Sequence, residues 1–181
     1  QYAGNDTYGP VTLYSDATIS TFPYFEDFEA DNGGWKGTIV SGLLSSWEWG
    51  VPDYIGGYTN CVRINTAHSG TKVWMTGLNS GYFNSEYSAL ESPCLDFSGL
   101  TTPVLKFWMN INTENNYDAV VVEGSTNAGA TWTKLTPYSP AYWNTSSSGP
   151  VAPPKYSGYS TTGWNRYVFQ LGAYAGMQNI K

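Results

Sequence analysis

Charge, histidine and cysteine are all scarce in this chain of 181 residues. Charged side chains make up 12% of it, and 14 acidic residues outnumber 8 basic ones, for a net charge of −6. An acidic chain lacks the basic stripe that displaces counterions from phosphate, so a nucleic-acid partner is excluded. No apolar run approaches the ~20 residues of a membrane-spanning helix, so no span is expected. Histidine occurs once, at His68. That excludes an H-E-x-x-H zinc helix and obliges any Ser-His-Asp triad to use His68, whose setting at 65–70 is turn-like and suits a surface role. Carboxylates such as Glu48, Asp53, Glu91 and Glu123 are scattered and do not announce a glycosidase pair. No catalytic residue is assigned, and any catalysis is expected elsewhere on a parent polypeptide. Long helices are lacking too, because 20 Gly and 10 Pro punctuate the chain throughout.

Aromatic residues are abundant: 8 Trp, 15 Tyr and 7 Phe amount to 17%. That burial drive excludes disorder and points to a packed core. Strand signals recur at 11–14, 22–29, 38–40, 47–50, 62–65, 72–76, 87–95, 104–110, 117–123, 131–135 and 164–171. Most are short, alternating or aromatic-rich, and bounded by Gly, Pro, Asn or Asp. No stretch carries a sustained 3.6-residue period with caps at both ends. The expectation is an all-β domain, a two-sheet antiparallel jelly-roll sandwich, over 21–181, with 1–20 a linker or the tail of a preceding module. Segment 138–163 is too polar and too rich in Pro and Gly for a core strand. It reads as a long functional or mobile connection.

Cys61 and Cys94 have no metal-ligand spacing, which argues against zinc. A disulfide between them, in a secreted chain, and a pair of buried small apolar residues both fit. The chain opens at Gln1 without a charged and apolar leader, which reads as a mature or excised segment. Tyr, Thr, Asn and Gly enrichment with few lysines suggests an extracellular module.

The segment Ser125-Thr126-Asn127-Ala128-Gly129-Ala130-Thr131-Trp132 resembles the Asp-box, S-x-D-x-G-x-T-W, with Asn in place of Asp. Its Asx side chain can bond the turn backbone and Gly129 can take a positive φ, so the motif reads as a hairpin staple. One copy cannot build a propeller.

The ordered motifs resemble the MAM family and its bacterial relatives. Phe25-Glu26-Asp27-Phe28-Glu29 followed by Gly34-Trp35 is similar to the MAM opening. Ser88-Ala89-Leu90-Glu91-Ser92-Pro93 and then Val104-Leu105-Lys106-Phe107-Trp108-Met109 are similar to A-x-L-x-S-P…L-x-F-W. Trp47-Glu48-Trp49-Gly50-Val51-Pro52, Ser92-Pro93-Cys94-Leu95-Asp96-Phe97-Ser98 and Asn116-Tyr117-Asp118 resemble jelly-roll modules of large secreted Bacteroidetes proteins, including the cleaved adhesin domains of gingipains. Similar modules accompany some secreted metallopeptidases. The chain departs from the pattern in lacking the vertebrate MAM cysteines and the closing strands. The resemblance therefore implies a sandwich without its last strands, open to a complementing strand from the parent protein or a neighbouring subunit.

The resemblance also implies a structural Ca²⁺, with Glu26, Asp27 and Glu29 as candidate ligands, since that ion takes hard oxygen donors. Strand alternation would put Asp27 and Glu29 on one face and Glu26 on the other, and a solvated acidic edge is the plain alternative. Trp35, Trp74, Trp108 and Trp132 read as core. Candidate ligand-binding residues are Trp47 and Trp49, which share a face as core or platform, Tyr54 in the connection 51–60, and Tyr142, Trp143 and Asn144 in the long connection. The last three could stack on and bond sugar rings, or clamp that connection onto the sandwich. Asn144-Thr145-Ser146 and Asn5-Asp6-Thr7 are glycosylation sequons. These features point to a non-catalytic extracellular recognition or adhesion module, with a polysaccharide or a cell-surface protein as partner. The alternatives are an accessory domain of a secreted peptidase or glycoside hydrolase, and a strand-complemented unit of a surface fibre.

Overall fold

The computed structural model of the protein describes residues 17–53, 64–160 and 163–181. Its strands in chain order are β1 (Thr18–Ile19), β2 (Lys36–Ser41), β3 (Trp47–Gly50), β4 (Val73–Thr76), β5 (Tyr87–Glu91), β6 (Cys94–Leu95), β7 (Val104–Met109), β8 (Glu123–Gly124), β9 (Thr133–Lys134) and β10 (Asn165–Gln170). A turn of 3-10 helix, Gly172–Tyr174, follows β10. The fold is all-β, and all pairs but one are antiparallel among the described strands.

Two layers enclose the core. In the first, β7 and β10 pair in register from Asn165↔Met109 to Gln170↔Val104. Period-2 alternation sends Leu105, Phe107, Met109, Tyr167 and Phe169 inward, and leaves Val104, Lys106, Trp108, Arg166 and Gln170 exposed. The Val168 amide donates to the Ser139 carbonyl at 2.8 Å, which extends this layer beyond β10. The second layer runs from β1, parallel to β6, to residues 180–181, then to β8 and β9. Leu95 and Ile180 exchange both backbone hydrogen bonds, and Ser125 and Lys181 do the same.

Phe97, Ile111, Tyr156, Tyr167, Phe169, Leu171 and Ile180 fill the space between the layers. Tyr156, Tyr167 and Phe169 are fully shielded from solvent. Each such ring stabilises the fold by about 1.5–3 kcal/mol relative to an exposed one. Beside this core, β2 pairs with β5 through a bulge between Ile39 and Ser41, and β3 pairs with β4. The Thr38 hydroxyl donates to Glu91 Oε1 at 2.9 Å and ties β2 to the end of β5.

Three expectations need correction. Residues 22–29 are not a strand: they are irregular, with bends at both ends, and Phe28 takes φ 61°. Side-chain oxygens of Glu26, Asp27, Asp31 and Asn32 accept from the amides of Phe28, Glu29, Gly33 and Gly34, each two residues on. These local bonds replace a sheet partner. Segment 117–123 is mostly not a strand either. It leaves a turn in which the Tyr117 and Asp118 amides donate to the Glu114 carbonyl, and then bridges at Val120.

The third correction is narrower: 138–163 holds no strand among its described residues, as expected, but isolated bridges tie it to neighbouring segments instead of leaving it free. Val120↔Tyr156, Asn112↔Tyr159, Asn144↔Lys155 and Ser139↔Val168 are all antiparallel bridges. Polar composition misleads here because the polar atoms are satisfied by backbone and side-chain partners while the rings of Tyr142 and Tyr156 supply the apolar surface. The strand expectations at 11–14 and most of 62–65 lie outside the described residues, as does most of 1–20.

Candidate functional site

The outer face of the β7–β10 ladder carries an aromatic corner. Trp108 points outward from β7, and Trp164 immediately precedes β10. The His68 ring stacks on Trp108 with centroids 3.8 Å apart and planes 17° from parallel. The same imidazole meets Trp164 edge-on at 6.3 Å, and the Trp164 indole N–H donates to the Thr66 carbonyl at 3.2 Å. Segment 64–70 is thus laid against the sheet by ring contacts and one indole hydrogen bond. A cavity of about 130 Å³ adjoins the corner, lined in part by Trp74, Trp108, Asn110, Asn112, Thr113 and Trp164.

Trp108 retains 46% of its surface exposed even with His68 over one face. It is therefore not the core residue expected of it. The sequence does hold the signal: in Val104-Leu105-Lys106-Phe107-Trp108, alternation places Trp108 on the same side as Lys106, hence outward. His68 is exposed, and among the described residues no carboxylate or hydroxyl lies within hydrogen-bond distance of its ring.

The residues expected to bind ligand are engaged internally. Trp47 and Trp49 lie on β3 opposite Thr76 and Trp74. Both are half-buried, the Trp49 indole N–H donates to the Phe28 carbonyl at 2.9 Å, and the Lys72 ammonium sits 4.6 Å above its ring. Tyr142 and Trp143 flank Tyr156 at 4.4 and 4.8 Å between centroids. The Tyr142 hydroxyl donates to the Leu135 carbonyl and accepts from the Val122 amide; burial, the larger influence, pushes this phenol up despite that amide. The Trp143 indole donates to the Ser157 carbonyl at 2.8 Å, and the residue as a whole stays 43% exposed. The Asn144 side chain donates to Asn116 Oδ1 at 3.0 Å. This is the clamp arrangement. No ring contact or hydrogen bond among the described residues joins Trp47 or Trp49 to Tyr142, Trp143 or Asn144. Tyr54 lies outside the described residues.

The candidate metal ligands are likewise committed. Glu26 accepts from the Phe28 amide and the Tyr24 hydroxyl, and Asp27 accepts from the Glu29 amide. Glu29 accepts from the amides of Lys72 and Thr71 at 2.8 and 2.9 Å and from the Thr71 hydroxyl at 2.9 Å. The Lys72 amide, with help from Thr71, holds the Glu29 carboxyl below the usual range. Glu29 therefore pins the opening turn to the lead-in of β4. Among the described residues no three His, Cys, Asp or Glu side chains converge as a metal set. Cys94 is a buried free thiol on β6, and Cys61 lies outside the described residues.

The Asp-box acts as the hairpin staple between β8 and β9. Asn127 Oδ1 accepts from the Thr131 amide and the Ser125 hydroxyl, and Asn127 Nδ2 donates to the Thr131 hydroxyl.

No family model matches the chain, and no solved structure matches it. The chain is similar to Bacillopeptidase F of Bacillus subtilis (strain 168), with 36% identity over 119 residues. That stretch covers 62% of this chain and spans 8% of the Bacillus protein.

Proposed function

We propose that this chain is a non-catalytic recognition module that accompanies a peptidase within a larger extracellular polypeptide. The observation that carries the reading is its likeness to a small part of a protein named as a peptidase. A segment so short relative to the whole is the size of an accessory domain. The single histidine supports the same view, because His68 is stacked on Trp108 and, among the described residues, has no hydrogen-bond partner of the kind a general base requires. Low charge and abundant Tyr, Asn and Ser favour aromatic-anchored contact with a polysaccharide or a cell-surface protein. A MAM-like jelly roll belongs to the same proposal. Its support is that two motifs of the resemblance fall on strands of an all-β fold: Ser88–Pro93 overlaps β5, and Val104–Met109 coincides with β7.

The test separates binding from cleavage. The purified chain incubated with casein is expected to leave it intact, and the same chain is expected to be retained on insoluble polysaccharide or on whole cells. Proteolysis by the isolated chain that disappears in His68→Ala would overturn the non-catalytic reading.

A further inference from the structure

Cations are few in this chain, and five of the seven that the structure describes are engaged. Lys72 donates to the Glu29 carbonyl and lies over Trp49. Lys134 donates to the carbonyls of Ala152 and Pro154, Lys155 is buried against backbone carbonyls, and Lys181 pairs with Glu91. Lys36 also has a partner, and Arg63 lies outside the described residues. Lys106 and Arg166 remain. Both are exposed, and neither has a hydrogen bond, ion pair or ring contact among the described residues.

These two cations share one place. Lys106 precedes Trp108 by two positions on β7, so both project from the outer face. Arg166 stands directly opposite Trp108 in the β10 register, and cross-strand neighbours lie about 4.5–5.5 Å apart at Cβ. Among the described residues, an acidic protein thus places its two uncommitted cations beside an exposed indole, with His68 stacked on that indole. Two cations are too few to hold a phosphate backbone against this net charge. The flat apolar ring beside them suits the C–H face of a pyranose, and an arginine fork suits a carboxylate bidentately. Asn110, which lines the adjoining cavity, offers an amide to hydroxyls.

We infer that the outer face of the β7–β10 ladder is a binding site for an acidic polysaccharide, with Trp108 as the stacking platform and Lys106 and Arg166 as the partners of uronate carboxylates. This rests on the recognition reading and gives it a ligand class.

The experiment titrates the whole chain with polygalacturonate, its methyl ester and polyglutamate, following tryptophan fluorescence at low and high salt. Polygalacturonate is expected to give a saturable change that weakens steeply with salt, as screening shortens from about 30 Å at 0.01 M to about 3 Å at 1 M. Arg166→Gln and Lys106→Gln should each weaken binding about tenfold, the worth of one charged hydrogen bond. Trp108→Ala should abolish it, with binding then followed by calorimetry and folding checked by near-ultraviolet circular dichroism. Equal binding of the methyl ester would overturn the acidic assignment and keep a glycan-recognition module. Equal binding of polyglutamate, indifferent to Trp108→Ala, would overturn stacking in favour of an acidic protein partner. No binding by any of the three overturns the site, whereas the accessory reading falls only if the isolated chain cleaves protein.

Discussion

The Glu86 carboxylate takes two hydrogen bonds from Ser46, one from the backbone amide at 2.8 Å and one from the hydroxyl at 2.6 Å. The Ser88 hydroxyl and the Phe83 amide add two more, so one carboxylate gathers the approach to β3, the turn before β5 and β5 itself. Burial pushes this carboxyl up, but the donors, led by Ser46, outweigh it and hold it below the usual range. A carboxyl depressed in the folded state contributes stability above its unfolded pKa and loses it as pH falls through the folded one. Glu86→Gln, which keeps one acceptor oxygen, is expected to cost about 1–3 kcal/mol near neutrality. In urea titrations across pH, the gap between variant and wild type should close below about pH 4. A gap that stays constant to lower pH would show that the charge on Glu86 is irrelevant.

Lys155 is completely buried, and among the described residues it has no ion pair with a carboxylate. Its ammonium donates to the carbonyls of Asn116 and Ser148, and so joins the 114–118 turn to segment 144–155. Lys155→Met keeps the stem, removes a costly buried charge and orphans two carbonyls, effects that partly cancel. Lys155→Ala adds a cavity. The expected order of stability is wild type, then Met, then Ala, with the alanine variant about 2–4 kcal/mol below wild type. A methionine variant at least as stable as wild type would mean that the carbonyl cage does not compensate the ammonium for lost water.

Asn127 uses both atoms of its amide in the β8–β9 hairpin. Asn127→Asp leaves the acceptor of the Thr131 amide in place, and the Thr131 hydroxyl can turn to donate to the new oxygen. Asn127→Asp is therefore expected within about 1 kcal/mol of wild type, while Asn127→Ala loses about 1–2 kcal/mol. Thermal unfolding of the two variants decides it: equal losses would mean that the staple depends on something other than this side chain.

How much of this was legible in sequence depends on where each element finds its partners. Strands β3, β7 and β10 alternate plainly, and the alternation in β7 even holds the outward Trp108. The Asp-box is legible because all its bonds close within a few residues. Segment 144–160 is not, because what makes it structural is Tyr156 packing on Tyr142, Trp143 and Tyr167 from elsewhere in the chain. The His68–Trp108 stack is illegible for the same reason: it joins a turn to a distant strand, and neither neighbourhood names the other. Residues 22–29 mislead in the opposite direction, since their carboxylates bond amides two residues on rather than leaving the backbone to a ladder.

Gly149 offers the sharpest check on the clamp. It takes φ 76°, and a Cβ added there would lie 2.0 Å from the Tyr117 carbonyl oxygen. That oxygen belongs to the backbone of the 114–118 turn and cannot swing aside as a side chain would. Gly149→Ala combines left-handed strain, about 1 kcal/mol, with a clash that must displace one segment from the other. Ser148, the adjoining residue, would then carry its carbonyl away from the buried Lys155 ammonium. The expected result is a loss of more than about 2 kcal/mol together with new protease sensitivity confined to 144–155. Normal stability, or cleavage appearing first in another segment, would show that segment 144–155 is not held through this contact.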